Sequence, residues 1–343
     1  MGDYQEVECG LETNLLNNRL NLRLNYFNSR TDDILTYQSL SYVSGLDKNW
    51  CNGGSLKNSG YDVTAIGKVI NTRNFAWELG GSIGHYKNEI VSLPEGKEYI
   101  DNTVYGATIR TQVGKPANLF YGYRTAGVFK STEDAQAAGL YIIGDNGMDK
   151  NYFGAGDMQF VDKDGNHIIN AKDCEVIGDP NPDFYGNIFT SFAYKRFRLD
   201  FNFNYSVGND VYNYMRQQLE SGSRYMNQTT AVSKRWQSEG QVTDMPRVTF
   251  QDPMGNSRFS DRWIEDGSYL RLKTVTLSYS LPVNSTLLQG FQFWIQANNL
   301  FTWSKYLGSD PEFTMTSAVI GQGIDLGQLP QCRSILAGVK INL

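Results

Sequence analysis

What most constrains this chain is a two-residue alternation of apolar and polar side chains that recurs in paired segments joined by short turns. Leu20, Leu22, Leu24 and Tyr26 alternate with Arg19, Asn21, Arg23 and Asn25, the period of a strand with one apolar and one polar face. Upstream, Val7, Cys9 and Leu11 alternate with Glu6, Glu8 and Glu12, and Asn17-Asn18 between the two segments is good turn chemistry. Pairing Leu16 with Arg19 sets Leu11 opposite Leu24 and Glu12 opposite Arg23, so one register satisfies both faces. The same device predicts three more hairpins. Tyr61–Val69 returns as Phe75–Ile83 around Asn71-Thr72-Arg73, and Phe184–Tyr194 returns as Phe197–Val207 around Lys195-Arg196. Tyr269–Leu281 pairs with Phe291–Trp303, and the parity change between Leu272 and Val275 predicts a bulge at Lys273-Thr274. A last strand carries Ile335, Ala337, Val339, Ile341 and Leu343 on one face.

Connection lengths alternate short and long. The turns above and Val283–Gln289 are short, whereas about 36–58, 92–182, 209–266 and 305–333 are long and rich in Gly, Asp, Asn and Tyr. Sorting loop length by sheet end is the habit of outer-membrane barrels, with short periplasmic turns and long external loops. The absence of any run near the roughly 18 apolar residues of a membrane helix does not count against a barrel, whose strands give almost no hydropathy peak. The competing reading is a soluble or surface β-sandwich, an adhesin or carbohydrate-binding module. Lys+Arg 31 against Asp+Glu 36 gives a formal charge of -5, which lacks the basic surplus of a nucleic-acid binder. His85 and His167 are the only histidines, no GxxxxGK[ST] phosphate loop is present, and Cys9, Cys51, Cys174 and Cys332 form no CxxC pair. No enzyme is expected.

Several segments resemble the C-terminal part of the SusC/RagA-like TonB-dependent outer-membrane transporters of Bacteroidetes. They are Trp263 through Pro282, Ala297-Asn298-Asn299-Leu300 through Asp310-Pro311-Glu312, Gly114-Lys115-Pro116, Tyr121-Gly122-Tyr123, Gly127-Val128-Phe129, Gly156-Asp157, Gly178 through Pro182 and Tyr185-Gly186. The resemblance implies an all-β, antiparallel transmembrane barrel. Residues 1–343 would be about nine C-terminal strands of a 22-strand barrel whose plug and TonB-contacting region are absent from this chain. It also implies nutrient uptake, of a glycan or peptide, with a SusD-like lipoprotein in a Gram-negative outer membrane. TonB, outer-membrane lipid and the barrel-assembly machinery are the other implied partners, and no cofactor is required.

Three groups of residues are candidates for function. Asp162, Asp164, Asn166, Ile168, Asn170 and Asp173 have the spacing of an EF-hand-type calcium loop, although His167 stands where that loop needs glycine; the other reading is a hydrogen-bonded Asx-rich turn. Trp50, Tyr121, Tyr123, Tyr212, Tyr214, Tyr225 and Trp236 lie in the long loops, where they either contact substrate or partner or pack the loops together. Gly338, Ile341 and Leu343 resemble the terminal strand read by the barrel-assembly machinery, with Leu343 where an aromatic is usual; an ordinary last strand is the alternative.

Overall fold

The computed structural model describes residues 2–39, 43, 45, 48–144, 146–283, 290–313 and 319–342. The alternating segments form one antiparallel sheet of nine strands in chain order. These are β1 (Asp3–Leu15), β2 (Leu20–Asp32), β3 (Ser55–Asn71), β4 (Phe75–Ser92), β5 (Phe184–Tyr194), β6 (Phe197–Val207), β7 (Tyr269–Pro282), β8 (Gly290–Ser304) and β9 (Ser334–Asn342).

The expected registers hold, with Leu11 opposite Leu24, Glu12 opposite Arg23 and Tyr194 opposite Phe197. The first turn is wider than two residues, since pairing stops at Leu15 and Leu20 and Leu16, Asn17 and Asn18 all take positive φ, at 54°, 55° and 62°. The bulge also forms. The register of β7 shifts at Lys273 against both neighbours, and Asn299 on β8 answers it with φ 54°.

Register alone makes one face continuous. Tyr26, Leu24 and Leu22 meet Tyr61, Val63 and Ala65 across β2 and β3, and Val63 meets Ile83. Farther on, Phe192, Leu199, Leu277, Ile295 and Ala337 form a single row from β5 to β9. Most of the large residues of this face are exposed or half-buried, with Ile295 exposed by 55% and Ile335 by 77%, so it is not the core.

The core lies in the long connections, which span 33–54, 93–183, 208–268 and 305–333 and all leave the same end of the sheet. The first begins and ends earlier than the expected 36–58, because β3 already starts at Ser55, whose hydroxyl donates to Asp32 at the end of β2. Two buried clusters hold the loops together. One joins Ala107, Ile109, Phe120, Ile177, Tyr212, Phe259, Trp263 and Ile324 from three different connections. The other gathers Phe129, Leu140, Phe153, Met158, Phe160 and Ile169 with Met254. Small sheets supply the backbone partners these segments need when buried. Glu175–Gly178, Leu119–Gly122, Ala107–Gln112 and Tyr99–Val104 form a four-stranded one, and Asp210–Asn213 lies between Ile264–Asp266 and Ile324–Asp325.

Candidate functional site

The sheet face opposite the apolar one is polar and largely self-paired. Asn25 Nδ2 donates to Glu8 Oε1 at 2.6 Å, Asn21 Nδ2 to Asn14 Oδ1 at 2.9 Å, and Arg23 pairs with Glu12 at 3.2 Å. At the other edge Gln296 Nε2 donates to Asn298 Oδ1 and Asn298 Nδ2 to Ser334 Oγ, at 2.7 and 2.9 Å.

Four of the aromatic rings on this polar face are seated against glycine, which the alternation alone does not show. Phe27, Phe189, Tyr185 and Trp294 stand directly opposite Gly60, Gly80, Gly84 and Gly338. A Cβ on any of these glycines would come within 2.4 to 2.7 Å of the facing ring, so each ring lies across the backbone where a side chain is missing. The sequence does carry the signal: each ring directly follows an apolar-face residue, as in Tyr26-Phe27, Phe184-Tyr185, Ile188-Phe189 and Phe293-Trp294.

The loops are tied to the wall by buried charge. Arg271 on β7 pairs with Asp310 and, at 3.1 Å, with Glu312, while Lys273 reaches Glu312 at 3.1 Å and Gln331 Oε1 at 2.8 Å. Arg271 and Asp310 are both buried, where an unpaired charge would be costly. A second hub is Asp157, fully buried, whose carboxylate accepts from Arg247 Nε and NH2 at 2.7 and 2.8 Å and from Asn256 Nδ2 at 2.9 Å. Glu265 accepts from Arg216 NH1 and the Leu307 N–H at 3.0 and 2.9 Å, joining the 208–268 and 305–333 connections.

The expected contact aromatics separate into two groups. Tyr212, a candidate for substrate or partner contact, takes the packing alternative and is a core residue. It is fully buried, edge-on to Phe259 with centroids 4.8 Å apart, and donates its hydroxyl to Gln217. Tyr123 and Tyr214 pack against the two loop clusters, and burial, with a smaller push from Cys174, raises the Tyr123 hydroxyl to about 12. Tyr121 lies under the Arg110 guanidinium, 3.4 Å from its ring centroid. Trp236 Nε1 donates to the Lys130 carbonyl at 3.1 Å. Among the members whose side chains are described, Tyr225 alone stands out into solvent, 92% exposed, with Phe250 beside it at 5.0 Å. Trp50 falls in a strand, Lys48–Asn52, and its side chain lies outside the described residues, as does all of Leu343.

In the Asp162–Asp173 loop the carboxylates of Asp162, Asp164 and Asp173 converge, their nearest oxygens within 4.8 Å of one another. His167 adopts φ 63°, the left-handed conformation the loop requires at that position. Asp162 accepts from the N–H groups of Gly165, His167 and Asn166, at 2.9, 2.7 and 3.3 Å. Asp173 accepts from Lys163 and Asn170, at 3.0 and 2.8 Å. Burial pushes the Asp162 carboxyl up, but the three N–H donors outweigh it and hold the group below the usual range. The turn is therefore complete through its own hydrogen bonds. Gly338 is accounted for in the same local terms, as the seat of Trp294, and Ile341 sits opposite Phe291 on the apolar face.

No protein-family model matches the chain. Over 98% of its length it is 30% identical to TonB-dependent receptor P3 of Formosa agariphila, and over 97% it is 27% identical to TonB-dependent receptor SusC of Bacteroides thetaiotaomicron. The structure of the RagAB peptide transporter superposes on 99% of the chain with a TM-score of 0.79 and 25% identity. The chain is homologous to part of the SusC/RagA-like TonB-dependent receptors. It spans 34% and 31% of the two curated relatives and 35% of the RagAB chain. In this receptor-like chain, two of the segments that carried the resemblance hold such contacts: Arg271 and Lys273 tie loop to wall through Asp310 and Glu312, and Asp157 ties loop to loop through Arg247 and Asn256.

Proposed function

We propose that the chain is one stretch of the wall of a 22-strand outer-membrane barrel that imports a glycan or a peptide. In that reading the apolar face meets lipid, the polar face meets the lumen and plug, and the four long connections are extracellular. TonB would drive import through a region outside this chain, a SusD-like lipoprotein would cover the loops, and the barrel-assembly machinery of a Gram-negative Bacteroidetes cell would insert the strands. The observation that carries it is the apolar face itself, in register over nine strands and exposed. A soluble sandwich would bury that face against a second sheet, and among the described residues nothing covers it, so the adhesin reading is not favoured. No residue is assigned a catalytic role.

The test uses the full-length protein in its host, with uptake of labelled oligosaccharides and peptides followed before and after loss of TonB. Import that stops without TonB, by a protein that stays in carbonate-washed membranes, is the expected result. TonB-independent uptake, or release of the protein by carbonate, would contradict it.

A further inference from the structure

Two adjacent rows of the polar face differ from the self-paired ladder around them. In the first, Asp62, Gly84, Tyr185, Ser206 and Tyr269 face one another in turn from β3 to β7. In the second, one step farther from the loops, Ser82, Asn187 and Asn204 do so. Together they line a concavity of about 450 Å³ directly beneath the loop assembly. Gly84 makes it possible: a Cβ there would sit 2.7 Å from Tyr185 Cζ and 2.8 Å from Asp62 Oδ1, so its absence lets the phenol ring and the carboxylate share one site. Tyr185 is 37% exposed. Among the described residues the side chains of Asp62, Asn187 and Asn204 have no hydrogen-bond partner.

We propose that this concavity is a subsite for a neutral sugar unit, an inference that rests on the importer reading above. The exposed Tyr185 ring offers a flat apolar platform to the C–H face of a pyranose. Around it stand one acceptor-only carboxylate and two amides that both donate and accept, a set suited to neighbouring hydroxyls. The charge favours a neutral unit over an acidic one, because Asp62 is the site's one free charge and the nearby Arg271 is already held by Asp310 and Glu312. A peptide bound by strand addition would need a free edge, and every strand from β3 to β7 is paired on both sides.

The test is calorimetric titration of the detergent-solubilised full-length transporter with neutral heptaoses of glucose and mannose in several linkages, and with a pool of short peptides. At least one heptaose should bind. Tyr185→Ala should weaken it by about tenfold or more and Asn204→Ala by about threefold, whereas Tyr185→Trp should keep the affinity within about twofold. Asn21→Ala, in the self-paired part of the wall, should change nothing. Assembly of each variant is checked by heat-modifiable gel migration, and if Tyr185→Ala does not assemble, Asp62→Asn and Asn204→Ala decide. Unchanged heptaose affinity in the subsite variants, or binding of peptides only, would overturn the sugar subsite and leave the importer reading standing. Loss of TonB-dependent uptake for both classes of probe would instead bring down the importer reading itself.

Discussion

Asn202 and Phe203 are neighbours in β6, yet Phe203 stands in the apolar row opposite Ile188 while Asn202 lies on the polar face opposite Phe189. Phe203→Arg should sharply lower the amount of assembled barrel, since Arg at the lipid midplane costs about 2–4 kcal/mol; Asn202→Arg should be mild. Equal losses on heat-modifiable gels would mean that the faces are assigned the wrong way round. Gly338 poses a finer question, because an assembly signal and a seat for Trp294 both call for glycine there. Gly338→Leu would force its side chain into the Trp294 ring, whose Cζ2 lies 2.5 Å from the Cβ position, and overpacking of this kind costs about 1–3 kcal/mol. Adding Trp294→Ala should restore assembly if the seat is what matters. A double variant as defective as the single one would point to recognition of the strand itself.

Hairpins and loops were not equally legible. Each hairpin announced itself because both strands alternate and a single register had to satisfy two faces, as with Leu11 and Leu24 or Glu12 and Arg23. The loops gave no such check. Their partners are distant in sequence, so nothing near Tyr212 foretold Phe259, and nothing near Asp157 foretold Arg247. The aromatic–glycine seats were missed because polar-face rings look like lapses in the alternation. In the Asp162–Asp173 loop, Asp162→Ala removes the acceptor of three backbone N–H groups and should speed proteolysis there with or without calcium. The carboxyl is held below its ordinary 3.8, so its contribution is full above that value and is lost as pH falls through the lower folded one; protection should persist at pH 5 and fade only below about 4. Calcium-dependent protection that Asp162→Ala abolishes would make the loop an ion site. For the proposed lipoprotein interface, removing residues 215–235 would take out the buried Gln217, Glu220 and Val232. Point changes are cleaner: Tyr225→Ala with Phe250→Ala should leave the barrel assembled and weaken co-purification of the lipoprotein, because exposed aromatics are the usual anchors of such contacts. Undiminished co-purification would remove this pair from the interface.

Among the described residues β1 pairs only with β2 and β9 only with β8, which leaves two rows of backbone groups that lipid would not satisfy. Further strands are therefore part of the account, and so is a membrane on one side only of this sheet. The most direct measurement is site-directed spin labelling along β6 of the full-length protein in liposomes, one cysteine at a time from position 199 to 205, reading collisions with oxygen and with a water-soluble nickel chelate. Access should follow a two-residue period, with oxygen dominating at 199, 201, 203 and 205 and the chelate at 200, 202 and 204. Chelate access at every position, or oxygen maxima at the even positions, would contradict it.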